Sequence, residues 1–171
     1  MLVEGVDYIV EDNFFDPEYF FQMKSIIMSE TDDQSFMPWY FTGQLNHNHK
    51  DEDTEFYFNH VIYLGEPSSS LYDFFRPLWR LFDMKSLIRI KANCYPSKEN
   101  LVTHAPHADF PYEHKGAIIY INSCDGYTIL EDGTKIESVE NRVLFFDPSK
   151  EHSSTNCTNQ KARYNINVNY F

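Results

Sequence analysis

Leu87-Ile88-Arg89-Ile90-Lys91-Ala92-Asn93-Cys94-Tyr95 alternates along its length and stops at Pro96. Period-two alternation marks a strand with two different faces, and proline ends it because it cannot donate to a ladder. The chain after this stretch repeats the theme. Ala117–Asn122, Tyr127–Leu130, Val143–Phe146 and Tyr164–Tyr170 are short strand-like runs separated by Gly, Asp, Asn and Pro turns. Glu131-Asp132-Gly133-Thr134 places Asp-Gly at the centre of a hairpin. Spaced short strands with little helix between them predict a sandwich or jelly roll.

Before residue 87 the pattern is mostly helical. Residues 6–10 read as a short opening strand. Asp16-Pro17-Glu18 is a helix start: Asp caps free amides, Pro is tolerated in the first turn, and Glu suits the dipole. Phe20, Met23, Ile26 and Ile27 then follow at helical spacing, predicting an amphipathic helix over residues 17–30. Leu71, Phe74, Phe75, Leu78 and Phe82 form a second helical stripe after three serines, and Pro77 inside it predicts a kink or split. Residues 31–59 lack periodicity and read as a long loop or ragged hairpin carrying Trp39, Tyr40 and Phe41. Loops of that length often act as lids. The expected layout is one α+β domain over residues 1–171, with helical support and loop to about 86 and a jelly-roll core from about 87.

A chain of 171 residues fits one core. The aromatic share of 17 % predicts a core and cleft built from rings. Acids outnumber bases 26 to 14, a net charge of −12, and no Lys/Arg cluster is present. That balance argues against a nucleic-acid partner, which needs a basic face. Three cysteines without CxxC spacing suit a reducing cytosol rather than a disulfide framework. The first residues lack the charged and apolar regions of a signal peptide, and no apolar run is long enough to span a bilayer. The expectation is a cytoplasmic protein with no membrane partner. Composition leaves its oligomeric state open.

His107-Ala108-Asp109 sets an imidazole and a carboxylate two residues apart. On an extended strand both point to one side and can touch one metal. His152, beyond the apolar run Val143-Leu144-Phe145-Phe146, is the candidate third ligand of a 2-His-1-carboxylate face with open positions on iron(II). With 7 His in the chain, chance alone supplies about half of one H-x-D pair. A second one exists at His49-Lys50-Asp51, set in a stretch of Asn, Asp and Glu that reads as solvated loop. His104 is a wrong-register ligand or a neighbouring support. A zinc site from Cys94, His104 and His107 is also open, although its spacing fits no common pattern.

The context of these residues resembles the 2-oxoglutarate/Fe(II)-dependent oxygenase superfamily, in particular its prolyl 4-hydroxylase-like branch. The resemblance covers roughly residues 88–171. Asn93-Cys94-Tyr95-Pro96 is similar to the strand end before the metal motif, and Pro106-His107-Ala108-Asp109 to the motif itself. Ala117-Ile118-Ile119-Tyr120-Ile121-Asn122 resembles the family's apolar strand. Asp125-Gly126 stands where relatives often have Gly-Gly. Asn141-Arg142-Val143-Leu144-Phe145-Phe146 resembles the strand before the distal histidine. Ala162-Arg163-Tyr164-Asn165-Ile166-Asn167-Val168 is close to the closing strand.

The resemblance implies a double-stranded β-helix, a cupin-like jelly roll with N-terminal flanking helices. It implies Fe(II) held by His107, Asp109 and His152, with 2-oxoglutarate as co-substrate, O2 as oxidant and ascorbate as a compatible reductant. Arg163 is the implied anchor of the co-substrate's far carboxylate, Tyr120 its hydroxyl partner, and Tyr95 a pocket-lining residue. No catalytic residue beyond the metal centre is implied. An arginine suits a carboxylate because its planar fork binds bidentately and stays charged. An ion pair with one of the chain's own acids is the alternative for Arg163, and Lys161 is the competing anchor. The implied activity is hydroxylation of peptidyl proline or a small molecule, with release of succinate and CO2. Arg163-Tyr164-Asn165 also resembles the nucleic-acid demethylase branch, but that branch has a second Arg where this chain has Asn169. A non-catalytic cupin-like module that binds a metal or a small ligand is the competing class.

Overall fold

The computed structural model describes residues 7–28, 37–43 and 56–171. In chain order it begins with β1 (Tyr8–Glu11), α1 (Pro17–Met28), β2 (Tyr40–Thr42), β3 (Tyr57–Leu64) and β4 (Glu66–Pro67). Two single-turn helices follow, α2 (Tyr72–Phe75) and α3 (Leu78–Leu81), then β5 (Leu87–Pro96) and β6 (Lys115–Tyr120). The rest is β7 (Tyr127–Ile129), β8 (Lys135–Glu137), β9 (Arg142–Phe146), β10 (Ser153–Ser154) and β11 (Ala162–Tyr170).

Eight strands form the major sheet, in the order β1-β9-β6-β11-β5-β3-β2 with β4 beside β3. The minor sheet is β10-β7-β8. Every strand pair is antiparallel. Together the sheets make the jelly roll, a double-stranded β-helix with its helices on one outer face.

Alternation decides the two sides of the major sheet. Ile90 and Ala92 of β5, Ile119 of β6, Val143 of β9, and Ile166 and Val168 of β11 share one face and pack under Met23 and Ile27 of α1, Phe75 and Leu78. On the other side Ile118, Tyr120, Leu144 and Phe146 meet Ile136 of the minor sheet. The central strands pair register for register: Arg163↔Tyr95, Asn165↔Asn93, Asn167↔Lys91 and Asn169↔Arg89. These eight side chains therefore line the inner face, a polar row inside the roll.

The local expectations hold at the helices. Asp16 Oδ1 accepts from the amides of Glu18 and Tyr19 at 3.0 and 3.3 Å. Pro77 splits the second stripe into α2 and α3. Gly133, at φ +84°, closes the β7–β8 turn. Of residues 31–59, Tyr40–Thr42 and Tyr57–Asn59 pair as a hairpin, with β3 continuing to Leu64. That strand escapes sequence reading because Asn59 and His60 interrupt its apolar run. Residues 31–36 and 44–55 lie outside the described residues, and with them His49, Asp51 and most of the expected lid.

Candidate metal centre and the buried arginine beside it

The His107-Ala108-Asp109 segment lies outside the regular strands. His107 forms an isolated antiparallel bridge with His152, and Asp109 lies in a bend. Pro106 and Pro111 flank the segment, which limits ladder hydrogen bonding. Three backbone bonds fix it instead. The His107 amide donates to the His152 carbonyl at 3.0 Å, the His152 amide donates back at 2.9 Å, and the Asp109 amide donates to Pro148 O at 2.9 Å. The one bridge thereby sets two candidate ligands directly opposite each other.

One ligand atom from each of His107, Asp109 and His152 lies within 4.8 Å of the others. Among the described residues no other trio of metal-binding side chains converges so closely, so Cys94 and His104 are not part of a site with His107. The imidazole rings of His107 and His152 stand 4.6 Å apart, centroid to centroid. His152 Nδ1 lies 3.1 Å from the Lys150 carbonyl, which fixes that nitrogen as donor and leaves Nε2 for the site.

The electrostatics fit a divalent cation. Burial, and the neighbouring His152, push the His107 ring down to about 4. Burial also lowers His152. Both rings are therefore neutral near pH 7, the form that ligates. Burial acts to raise the Asp109 carboxyl, but the Arg89 guanidinium, His152 and the Asn169 hydrogen bond outweigh it and hold the group below the ordinary carboxylate range. Two neutral imidazoles and one carboxylate, clustered and half-enclosed, match the donor set of a non-haem iron(II) site.

A cage of side chains orients the carboxylate. Arg89 Nη2 donates to Asp109 Oδ1 at 2.6 Å, and Asn167 and Asn169 Nδ2 donate to Oδ2 at 3.1 and 2.9 Å. Asn169 Oδ1 in turn accepts from Arg89 Nε at 3.0 Å. His114 donates from Nδ1 to the Tyr112 carbonyl, so its Nε2 accepts from Asn169 Nδ2 at 3.1 Å. These supports are missing from the sequence reading. Their signal was the polar alternation at 89/91/93/95 and 163/165/167/169, which ordinarily means a solvated face.

Arg163 is completely buried. Its guanidinium donates from Nε to Ser138 Oγ at 2.6 Å, from Nη2 to Thr128 Oγ1 at 3.0 Å, and from Nη1 to Thr155 O at 3.1 Å and to Ser154 Oγ. All these partners are neutral. Among the described residues no carboxylate pairs with it, and Lys161 is exposed. Tyr95 and Tyr120 flank it, their ring centroids 5.7 and 5.6 Å from the guanidinium carbon. The Tyr120 hydroxyl donates to Thr128 Oγ1 at 2.9 Å, so Tyr120 and Arg163 share that threonine. His104 is buried against Tyr95, at 5.1 Å between ring centroids, and is not one of the clustered ligands.

Gly126 makes the arginine's position possible. A Cβ there would lie 2.6 Å from Arg163 Cδ. Asp125, beside it, ties its turn to the 158–159 turn by accepting from the Thr158 amide at 2.8 Å, while its own amide donates to Asn159.

No family model and no curated protein matches the chain by sequence. Solved structures do match by fold. A prolyl hydroxylase from Trichoplax adhaerens, solved with a fragment of the hypoxia-inducible factor oxygen degradation domain, superposes with a TM-score of 0.68 at 16 % identity, over 98 % of this chain and 84 % of that one. A Pseudomonas putida prolyl 4-hydroxylase gives 0.66 at 11 % identity, over 96 % and 92 %. An oxidoreductase of the 2OG-Fe(II) oxygenase family from Burkholderia pseudomallei gives 0.70 at 10 % identity, over 98 % and 86 %. The chain has the fold of prolyl 4-hydroxylases and other 2-oxoglutarate/Fe(II) oxygenases.

Proposed function

We propose that this protein is an iron(II)- and 2-oxoglutarate-dependent oxygenase. The observation that carries the reading is a buried guanidinium, hydrogen-bonded among the described residues to neutral groups alone, on the same inner face as a His-Asp-His cluster. A guanidinium buried among neutral acceptors still lacks a counter-charge, and a ligand carboxylate at that end would supply it. The cluster and Arg163 together select a ligand that chelates at one end and is anionic at the other, which is the chemistry of 2-oxoglutarate.

His107, Asp109 and His152 would hold the iron, and Arg89, Asn167 and Asn169 keep the carboxylate oriented. Arg163 would bind the far carboxylate, held in aim by Ser138, Thr128 and Ser154. Tyr95 and Tyr120 wall that end and exclude water from it. When bound, iron with 2-oxoglutarate and O2 supplies an oxidant strong enough to hydroxylate an unactivated C–H bond, releasing succinate and CO2. The chain's own residues supply position and burial.

The substrate is a peptide or a small molecule. The peptide seated in the Trichoplax enzyme supports the first class. The test is turnover of labelled 2-oxoglutarate. Wild type should release labelled CO2 slowly without added substrate, and Asp109→Ala should release none; equal release by the two would sink the ligand assignment.

A further inference from the structure

The inner face holds a third cation, beside Arg89 and Arg163, that the metal cluster and its supports do not account for. Lys91 lies on β5 between Arg89 and Asn93, directly opposite Asn167 of β11. It is close enough to the triad to act electrostatically on Asp109, His107 and His152. Its contact is the Tyr57 ring, 5.6 Å from Nζ to the centroid, and no side-chain acceptor of the described residues bonds it. Burial pushes its ammonium down to about 8. It remains mostly charged at neutral pH, and the carboxylate it feels among the described residues, Asp109, already serves Arg89 and two asparagines.

Two acceptors beside it are equally unserved. Asn93 and Asn167 are 2 % and 8 % exposed, and the Oδ1 of each is buried without a hydrogen-bond partner. The Asn167 amide cannot simply be turned over, because its Nδ2 donates to the Asp109 carboxylate at 3.1 Å. Asn93 Nδ2 is likewise committed, to Asn165 Oδ1 at 2.9 Å. Buried polar groups left this way cost about 1–3 kcal/mol each, so their persistence on adjacent rows of one face points to a ligand that serves them.

We propose that Lys91, with the amide oxygens of Asn93 and Asn167, forms a second carboxylate-binding position in the cup, separate from Arg163. It rests on the reading of the cup as an oxygenase site only for the identity of what enters. The ligand presents a carboxylate to the ammonium and an N–H or O–H donor to the amides. The carboxylate has two sources: the metal-proximal one of the 2-oxo acid, with the donor to the amides coming from a co-bound substrate, or an amino-acid-like substrate, which brings its own carboxylate and ammonium.

The experiment separates them in Zn(II)-loaded protein by calorimetric titration, without turnover. Pyruvate, a 2-oxo acid with no far carboxylate, probes the first source. Wild type and Arg163→Met should bind it alike, Lys91→Met about tenfold more weakly, and Lys91→Arg close to wild type. For the second source, the protein is saturated with 2-oxoglutarate and titrated with L-amino acids and their amides. An acid that loses about tenfold on amidation and again in Lys91→Met places the site on the substrate. Thermal melting checks that each variant is folded. If Lys91→Met changes neither titration, the proposal is overturned. Wild type that fails to bind 2-oxoglutarate, yet binds pyruvate or an amino acid through Lys91, removes the co-substrate reading and keeps this position.

Discussion

His107 and His152 face each other across a two-residue bridge, each amide donating to the other's carbonyl, with their rings 4.6 Å apart. One backbone contact therefore brings together two residues 45 positions apart in sequence, one before β6 and one after β9. A ligand variant should remove metal and leave the bridge. His152→Ala is expected to lower Mn(II) or Fe(II) affinity by at least about 100-fold, since loss of a supporting contact alone typically costs up to that much. Calorimetric metal titration measures it, with circular dichroism as the check on folding.

Arg89 tests the cage around Asp109. Its ion pair is largely enclosed, and it also holds Asn169. Arg89→Met should weaken metal binding by about 10- to 100-fold without abolishing it. Unchanged metal affinity would mean that Asp109 is oriented by its backbone alone.

Gly126 tests the placement of Arg163 without touching its charge. Gly126→Ala drives a Cβ into the arginine stem and the Asn156 carbonyl. The expected cost is about 1–3 kcal/mol of stability, typical of overpacking, read by urea denaturation. Affinity for 2-oxoglutarate should fall as well, while metal affinity stays within a few-fold of wild type.

His104 predicts an acid sensitivity. Burial, followed by Arg163, Lys98 and His107, lowers its ring from 6.5 to about 3, so the fold holds it neutral. Between those values the unfolded chain binds a proton that the folded chain refuses. Stability therefore falls as pH drops through that window, by up to about 1.4 kcal/mol per unit. His104→Gln should flatten the slope, as measured by denaturation of metal-free protein at about pH 7, 5.5 and 4.5.

The strands at Leu87, Val143 and Ala162, the capped helix at Asp16 and the split at Pro77 were legible because each is a local rule: alternation, a side-chain cap, a missing amide. The convergence of His107, Asp109 and His152, and the inward place of Arg163, were legible through their motif context. Arg89, Lys91, Asn167 and Asn169 were not. A polar face with period two normally faces water, and only the closing of the minor sheet over the major one makes it an interior. Ser153–Ser154 and Lys135–Glu137 were missed for the opposite reason, being too short to show any period. The single bridge that carries the H-x-D segment was not legible either, because two-residue spacing does not distinguish a ladder from one bridge.

The most direct test of the account is optical. Fe(II) and then 2-oxoglutarate are added to the protein without oxygen, and the visible charge-transfer absorption of the chelate is followed in wild type, His107→Ala and Arg163→Met. A band is expected in wild type, none in His107→Ala, and in Arg163→Met a band that needs about 30- to 100-fold more 2-oxoglutarate, the equivalent of about 2–3 kcal/mol for one lost charged contact. Folded wild-type protein that gives no band, or a band indifferent to both substitutions, would contradict it.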